Sequence, residues 1–152
     1  MKDVIRELNE IVSAYSEKMK AISDAEFSSK PLPEKWSKKE VVGHLIDSAH
    51  NNLRRFICGQ YEDEPPFITY QQDFWVESNN YQQMDRQEIV QLWQMMNRRI
   101  CAVLENMPEE NYGRQCNTGK LHSLQWLAAD YVKHMKHHIN QIISGSFDVI
   151  YH

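Results

Sequence analysis

Glycine and proline are scarce: five of each occur in 152 residues. They fall between periodic segments rather than inside them, the distribution of a helical chain and not of a turn-rich one. Cysteine is scarcer still. Cys58, Cys101 and Cys116 are odd in number and far apart, and no CxxC pair exists. That excludes a disulfide framework and a thiolate zinc site, and leaves reduced thiols in a reducing compartment. Basic charge is not in excess: 17 Lys and Arg stand against 21 Asp and Glu, for a net charge of -4. A chain so charged lacks the cationic face that displaces counterions from phosphates, so nucleic acid is not an expected partner. No run approaches the ~20 apolar residues of a membrane-spanning helix. The start, "MKDVIRELNEIVSAY", is charged and amphipathic and has no apolar stretch of signal-peptide type. A cytoplasmic protein without a membrane partner is the expectation. A Gly-rich phosphate cradle and a Ser-His-Asp or Cys-His nucleophile pair are also missing.

What is present is 41% hydrophobic and 25% charged residues, an ordinary globular balance. The length suits one domain, residues 1–152, able to bury a core without metal or disulfides. Apolar residues recur at helical spacing from Lys2 to Ser23 through Ile5, Leu8, Val12, Tyr15, Met19 and Ile22. "SSKPLPEKW" breaks that helix. Ser37 and Glu40 form a capping-box signature for a second helix, reaching about Cys58 and stopping at Gly59, with Val42, Leu45, Ala49, Leu53 and Phe56 inward. A long aromatic connection, Gln60 to Met84, holds a short helical piece in "YQQDFWVESNN". Asp85, with Glu88 as box partner, opens a third helix whose inner face is Ile89, Leu92, Trp93, Met96, Ile100, Val103 and Leu104. After a polar loop turning at "NTGK", Ser123 caps a fourth helix that ends near Ser144. The tail "SFDVIYH" has no assignment. The expected fold is all-α: a four-helix bundle with a long crossover between helices 2 and 3, long enough to leave those two parallel.

Seven histidines are unevenly placed. "YVKHMKHHINQI" holds three of them, and at 100° per residue they separate. His134 and His138 face the same way at i, i+4, His138 at the edge of the apolar arc and His134 just beyond it, in a row with Leu127, Tyr131 and Gln141. His137 turns towards the polar face. Two imidazoles so spaced can chelate one divalent ion, but two solvated histidines fit the spacing equally well. A third ligand is needed. His44, in "EVVGHLIDSAH", lies on the edge of its helix's apolar arc beside Ser48, Asn51, Asn52 and Arg55. His50 points elsewhere, and His122 and His152 lack partners by spacing. A cleft between helices 2 and 4 would join His44 to the pair.

The segments "WSKKEVVGHLIDSAHNNLRRF", "YQQDFWV" and "YVKHMKHHINQI" together resemble the DinB-like, YfiT-like superfamily of metalloenzymes, over nearly the whole chain. The resemblance implies a four-helix bundle and one divalent ion, zinc or nickel, held by three histidines with water in the open positions. By motif those ligands are His44, His134 and His138. It also implies a tendency to homodimerise. The activities it implies differ: metal-dependent hydrolysis in some members, and transfer or use of low-molecular-weight thiols such as bacillithiol, mycothiol or glutathione in others.

Three neutral histidines leave an ion its double charge and an open position, the catalytic rather than the structural pattern. A thiol there is held as thiolate; a water there ionises near neutral pH. Thiol transfer is the first expectation, with a small thiol and an electrophile as partners and Asn51, Asn52, Arg55 and Tyr131 lining the substrate side. Hydrolysis by activated water is the alternative, and a non-catalytic metal-binding or interaction bundle is the third. Hydrolysis calls for a nearby carboxylate base. Asp47 and Asp130 are within one turn of a proposed ligand and could act as that base or orient an imidazole N–H, but both read more readily as exposed helix carboxylates. No catalytic side chain is assigned.

Overall fold

The computed structural model describes residues 1–152. Four long helices carry it: α1 (Lys2–Lys20), α3 (Lys38–Tyr61), α5 (Arg86–Asn106) and α6 (Leu124–Ile142). Between them lie two short helices, α2 (Asp24–Ser28) and α4 (Gln72–Asn79), and a hairpin of β1 (Gln115–Asn117) and β2 (Leu121–Ser123). The bundle closes as a ring in which α5 packs on α1 and α3, and α6 on α3 and α1. Arg86 at the start of α5 donates to the Lys20 and Ile22 carbonyls after α1. Gly59 near the end of α3 meets Leu124 at the start of α6. The crossover therefore carries the chain back along α3, and α3 and α5 run parallel while α1 and α6 oppose them.

Local chemistry explains where the helices begin. The Ser37 hydroxyl accepts from the Glu40 amide at 3.1 Å, and the Ser37 amide donates to the Glu40 carboxylate at 3.1 Å. Reciprocal capping of this kind satisfies two amides the helix cannot. Asp85 accepts from the amides of both Gln87 and Glu88, and Glu88 does not reciprocate, so this start is a single-residue cap rather than a box. Ser123 caps α6 by accepting from the Trp126 amide at 3.1 Å.

Several helix limits differ from the periodicity. The first helix stops at Lys20 because Ser23 caps the separate turn α2, accepting from the Glu26 amide at 3.2 Å. Phe27 from that turn is fully buried, whereas Ile22 is only partly covered. α3 runs through Gly59 to Tyr61. That glycine serves close packing instead of termination: a Cβ there would lie 2.7 Å from Leu124 Cδ2. α6 stops at Ile142. On α5 the inward arc is wider than expected. Val90, Asn97 and Cys101 are buried, while Leu92, Met96 and Val103 are half-buried, because α5 faces two long neighbours at once. The loop before α6 also folds into the β1–β2 hairpin, paired Gln115 with Ser123 and Asn117 with Leu121. Asn117 exchanges backbone bonds with Pro66 and Ile68, which ties the start of the crossover to the far end of the bundle.

The other end of the crossover is fixed over α3. Gln82 accepts from the Ser37 hydroxyl at 2.6 Å and donates to the Ser28 carbonyl at 2.6 Å. Beside it, Tyr81 lies flat across α3 where Gly43 supplies no side chain; an added Cβ would sit 2.1 Å from the ring. Gly43→Ala therefore has to displace Tyr81 and break its bond to Asp47. Overpacking and a lost buried hydrogen bond cost about 1–3 kcal/mol each, against about 1 kcal/mol of improved helix propensity. A net loss of roughly 2–3 kcal/mol is expected, read as a fall in urea midpoint without a change in slope.

Candidate metal centre

His44 and His134, 90 residues apart, bring their Nε2 atoms to 3.2 Å. His138 joins them, its ring 4.5 Å from each of the other two, and one nitrogen from each residue falls within 4.8 Å of the others. α3 and α6 make this possible by running antiparallel with their groove-facing residues in step. Along α3 the groove follows Val41, His44, Ser48, Asn52 and Arg55; along α6 it follows Gln141, His138, His134 and Asp130.

His44 is not on the edge of the core, as its helical position suggests, but wholly inside it, with 0% exposure. Trp36, the residue before the cap, lies over its ring at 5.0 Å and supplies the missing cover. His134 and His138 are half-buried. Burial keeps the rings neutral. It depresses His44 to about 3, helped by the charge of His138, and His134 to about 2, helped by His138 and then His44. His138 is lowered for the same first reason, against the pull of Gln141. Neutral imidazoles present lone pairs, which is the state a metal needs.

The donor set fits a divalent ion on three counts. Two nitrogens 3.2 Å apart subtend roughly 100° at an ion with Zn–N bonds of about 2.0–2.1 Å, between tetrahedral and octahedral. The outer nitrogens of two rings are tethered, His138 Nδ1 to Gln141 Oε1 at 2.9 Å and His134 Nδ1 to Ser48 Oγ at 3.5 Å, which aims the Nε2 atoms inward. His44 Nδ1 is buried without a partner, and so is Asp47 Oδ2 three residues later on the same helix. A ring that ligates through Nε2 carries its proton on Nδ1, and the two buried atoms are not hydrogen-bonded to one another.

Asp47 is thus no exposed carboxylate. It is 1% exposed, and its Oδ1 accepts from the Tyr81 hydroxyl at 2.6 Å and Asn79 at 3.2 Å. Burial raises its pKa to about 6 despite the Tyr81 bond. Asp130 is half-buried, not exposed, and takes a bond from the Tyr151 hydroxyl at 3.3 Å.

The other expected site residues divide. Arg55 and Asn52 line a cavity of about 100 Å³ beside His134, with Tyr131 in its wall. Arg55 is no free surface charge: it fixes the crossover, donating through Nε and Nη2 to the Ile68 carbonyl at 3.1 and 2.9 Å. The Tyr131 hydroxyl turns into the core and donates to buried Asn97 at 2.6 Å. Asn51 donates to the Asp47 carbonyl at 2.9 Å and is not among the cavity's lining residues. His137 is outside the cluster; its ring sits between those of His138 and Tyr151. His50 is exposed near Trp75, and His122 stacks on Trp126 at 3.7 Å. Tyr151 is the residue that periodicity misses altogether. The last residues of the chain have no helical pattern, yet Tyr151 reaches over His134 at 5.3 Å and roofs the small cavity. On the other flank of the triad an open cleft of about 860 Å³ lies between Trp36, Val41, Asp73 and Gln141.

Known proteins are similar to this chain in sequence and fold. The chain is 26% identical over 147 residues to a provisionally assigned metal-dependent hydrolase of Geobacillus thermodenitrificans, covering 95% of this chain and 83% of that one. It is 25% identical over 141 residues to YfiT of Bacillus subtilis, of the same provisional assignment, covering 91% and 79%. The solved YfiT structure, described as having an unusual four-helix bundle topology, superposes with a TM-score of 0.83 over 93% of this chain and 82% of that one, at 24% identity. A mycothiol-dependent maleylpyruvate isomerase shares the fold with a TM-score of 0.72 at 14% identity, over 91% of this chain and 59% of that one. No helix is long and apolar enough to cross a membrane. The sequence profile of the DinB superfamily matches residues 7–142, nearly the whole bundle with all three clustered histidines inside it, and the chain belongs to that superfamily.

Proposed function

We propose that this protein is a metal-dependent hydrolase whose ion is held by His44, His134 and His138. The observation that carries the reading is the convergence of three neutral imidazoles, one of which, His134, also lines a small cavity. A bound divalent ion supplies Lewis acidity, which lowers the pKa of water in an open position to about 7. The chain's own residues orient and enclose. Gln141 and Ser48 hold the rings of His138 and His134, and Asp47 lies buried one turn from His44 on the same helix. Trp36 and Tyr151 exclude water from opposite flanks.

Thiol transfer is the second reading, and a specific observation favours it. Neither carboxylate near the triad hydrogen-bonds a triad ring, and each has one oxygen committed elsewhere: Asp47 Oδ1 accepts from Tyr81 and Asn79, and Asp130 Oδ2 from Tyr151. A thiol loses its proton on an ion without such help. A fold neighbour uses mycothiol, which keeps this chemistry within reach of the architecture.

One experiment separates them. Zinc- or nickel-loaded protein is assayed against an ester and amide panel, and in parallel against a generic electrophile with several small thiols. The hydrolase reading expects ester or amide cleavage that falls at least ~100-fold with chelator or in His138→Ala, in the range of losses when a catalytic ion's machinery is removed. Electrophile consumption that rises with thiol, without cleavage in the first panel, establishes transfer instead. Silence in both panels leaves a metal-binding module.

A further inference from the structure

The 100 Å³ cavity beside His134 contains one positive and one negative side chain from facing helices, Arg55 of α3 and Asp130 of α6. They do not meet. No salt bridge joins them, although each lies in the other's field. Arg55 spends its Nε and one Nη2 hydrogen on the Ile68 carbonyl and one Nη1 hydrogen on Asn52 Oδ1 at 3.3 Å, so two of its five N–H groups have no protein acceptor. Asp130 receives one bond, on Oδ2 from Tyr151, and Oδ1 has no protein donor. A pair that served only the fold would close to about 2.7–2.9 Å, since half-buried charges held apart forgo the attraction that offsets their desolvation. Both side chains instead line one shared cavity, and His134 forms part of its wall.

We propose that this cavity is a subsite for an α-ammonium carboxylate head group, as carried by a free amino acid or by a substrate or thiol that bears one. The carboxylate takes the two free N–H groups of Arg55, and the ammonium donates to Asp130. The volume suits it: about 100 Å³ is roughly three times the share of one liquid water, enough for a head group of some five heavy atoms and little more. Tyr151 roofs the space and holds the Asp130 carboxylate in place. The proposal deepens the reading above, on which it rests for the reacting end of the molecule: with the head group here, the remainder extends along the α3–α6 groove past His134 to the triad. The alternatives are a plain anion site, which Asp130 opposes by charge, and a cavity filled by water.

The test compares three probes of similar size, L-alanine, propionate and ethylammonium, binding to the full-length protein by calorimetry and by NMR shifts at the Arg55 side chain. Each probe is run with zinc and after chelation. Alanine is expected to bind about 10–100-fold tighter than either half-molecule, the ratio set by one charge-assisted hydrogen-bonded contact. Asp130→Asn and Arg55→Met should each reduce alanine binding by about tenfold or more, with zinc stoichiometry unchanged. Arg55 also anchors the crossover, so the wild-type probe series and Asp130→Asn decide the matter if Arg55→Met does not fold. Propionate binding as tightly as alanine, or no probe binding at tens of millimolar, overturns the proposal. Zinc uptake without alanine binding overturns the subsite alone; alanine binding without zinc uptake overturns the metal reading alone.

Discussion

His138→Ala and His134→Ala are expected to reduce divalent-ion content from near one per chain to near zero, while His137→Ala leaves it unchanged. Removing one of three nitrogen donors leaves a two-point site that competes poorly with water and buffer. His137 is on the same helix and adjacent in sequence, yet its ring lies outside the cluster, against Tyr151. The contrast between neighbours makes the experiment a test of geometry rather than of histidine content. His138 and His134 are the better targets because they are half-buried. His44→Ala removes a wholly buried ring under Trp36 and adds a cavity penalty to the loss of metal.

The same experiment has a thermal readout. An ion at 100 times its Kd stabilises the folded state by about 2.7 kcal/mol. For a chain of this size that raises Tm by roughly 5–10 °C. Wild type and His137→Ala should show the rise on zinc addition, and the triad variants should not. Retention of a full equivalent of zinc by His134→Ala would remove the foundation of the proposed function.

The parts of this molecule legible in its sequence are those where local chemistry decides. Ser37, Asp85 and Ser123 cap three of the four long helices because their side-chain oxygens satisfy amides within three residues. The i, i+4 relation of His134 and His138 is likewise a property of one helix. The long crossover announces itself by length and aromatic content. What periodicity does not reveal depends on a second element. His44 reads as a border residue on its own helix and becomes buried only when Trp36 folds over it. Asp47 reads as exposed until Tyr81 crosses Gly43 to reach it. Gly59 reads as a helix stop because the close approach of Leu124 is invisible from α3 alone. Tyr151 belongs to a tail without pattern, and it matters through contacts with α6. The pairing of α3 with α6, which turns a pair of histidines into a triad, is a tertiary fact for which the family resemblance is the only sequence-level signal.

Acid is expected to destabilise the metal-free protein from just below pH 6.5, and the sign follows from counting protons. His44, His134 and His138 have folded pKa values below the ordinary 6.5, so between that value and their folded values the unfolded chain binds up to three protons that the folded chain refuses. Their contribution to stability is fully present above pH 6.5 and is lost as pH falls. Asp47 and Asp130 act in the opposite sense, because burial raises both above 3.8 and the folded chain binds their protons first. Near pH 5 His44 and His134 set two protons against the one that Asp47 takes up, with His138 and Asp130 pulling in opposite directions, so the unfolded state holds about one more proton. Stability then falls by about 1.4 kcal/mol per pH unit. Against a total of about 5–15 kcal/mol, two units of acidification are a large loss. Urea titrations of chelator-treated protein at pH 7, 6 and 5 measure this directly. Asp47→Asn deletes one opposing proton and should steepen the slope to about 2.7 kcal/mol per unit. Stability that holds level or rises from pH 7 to pH 5 would mean that the three rings are not held neutral, and with that the lone pairs on which the proposed metal site depends would be gone.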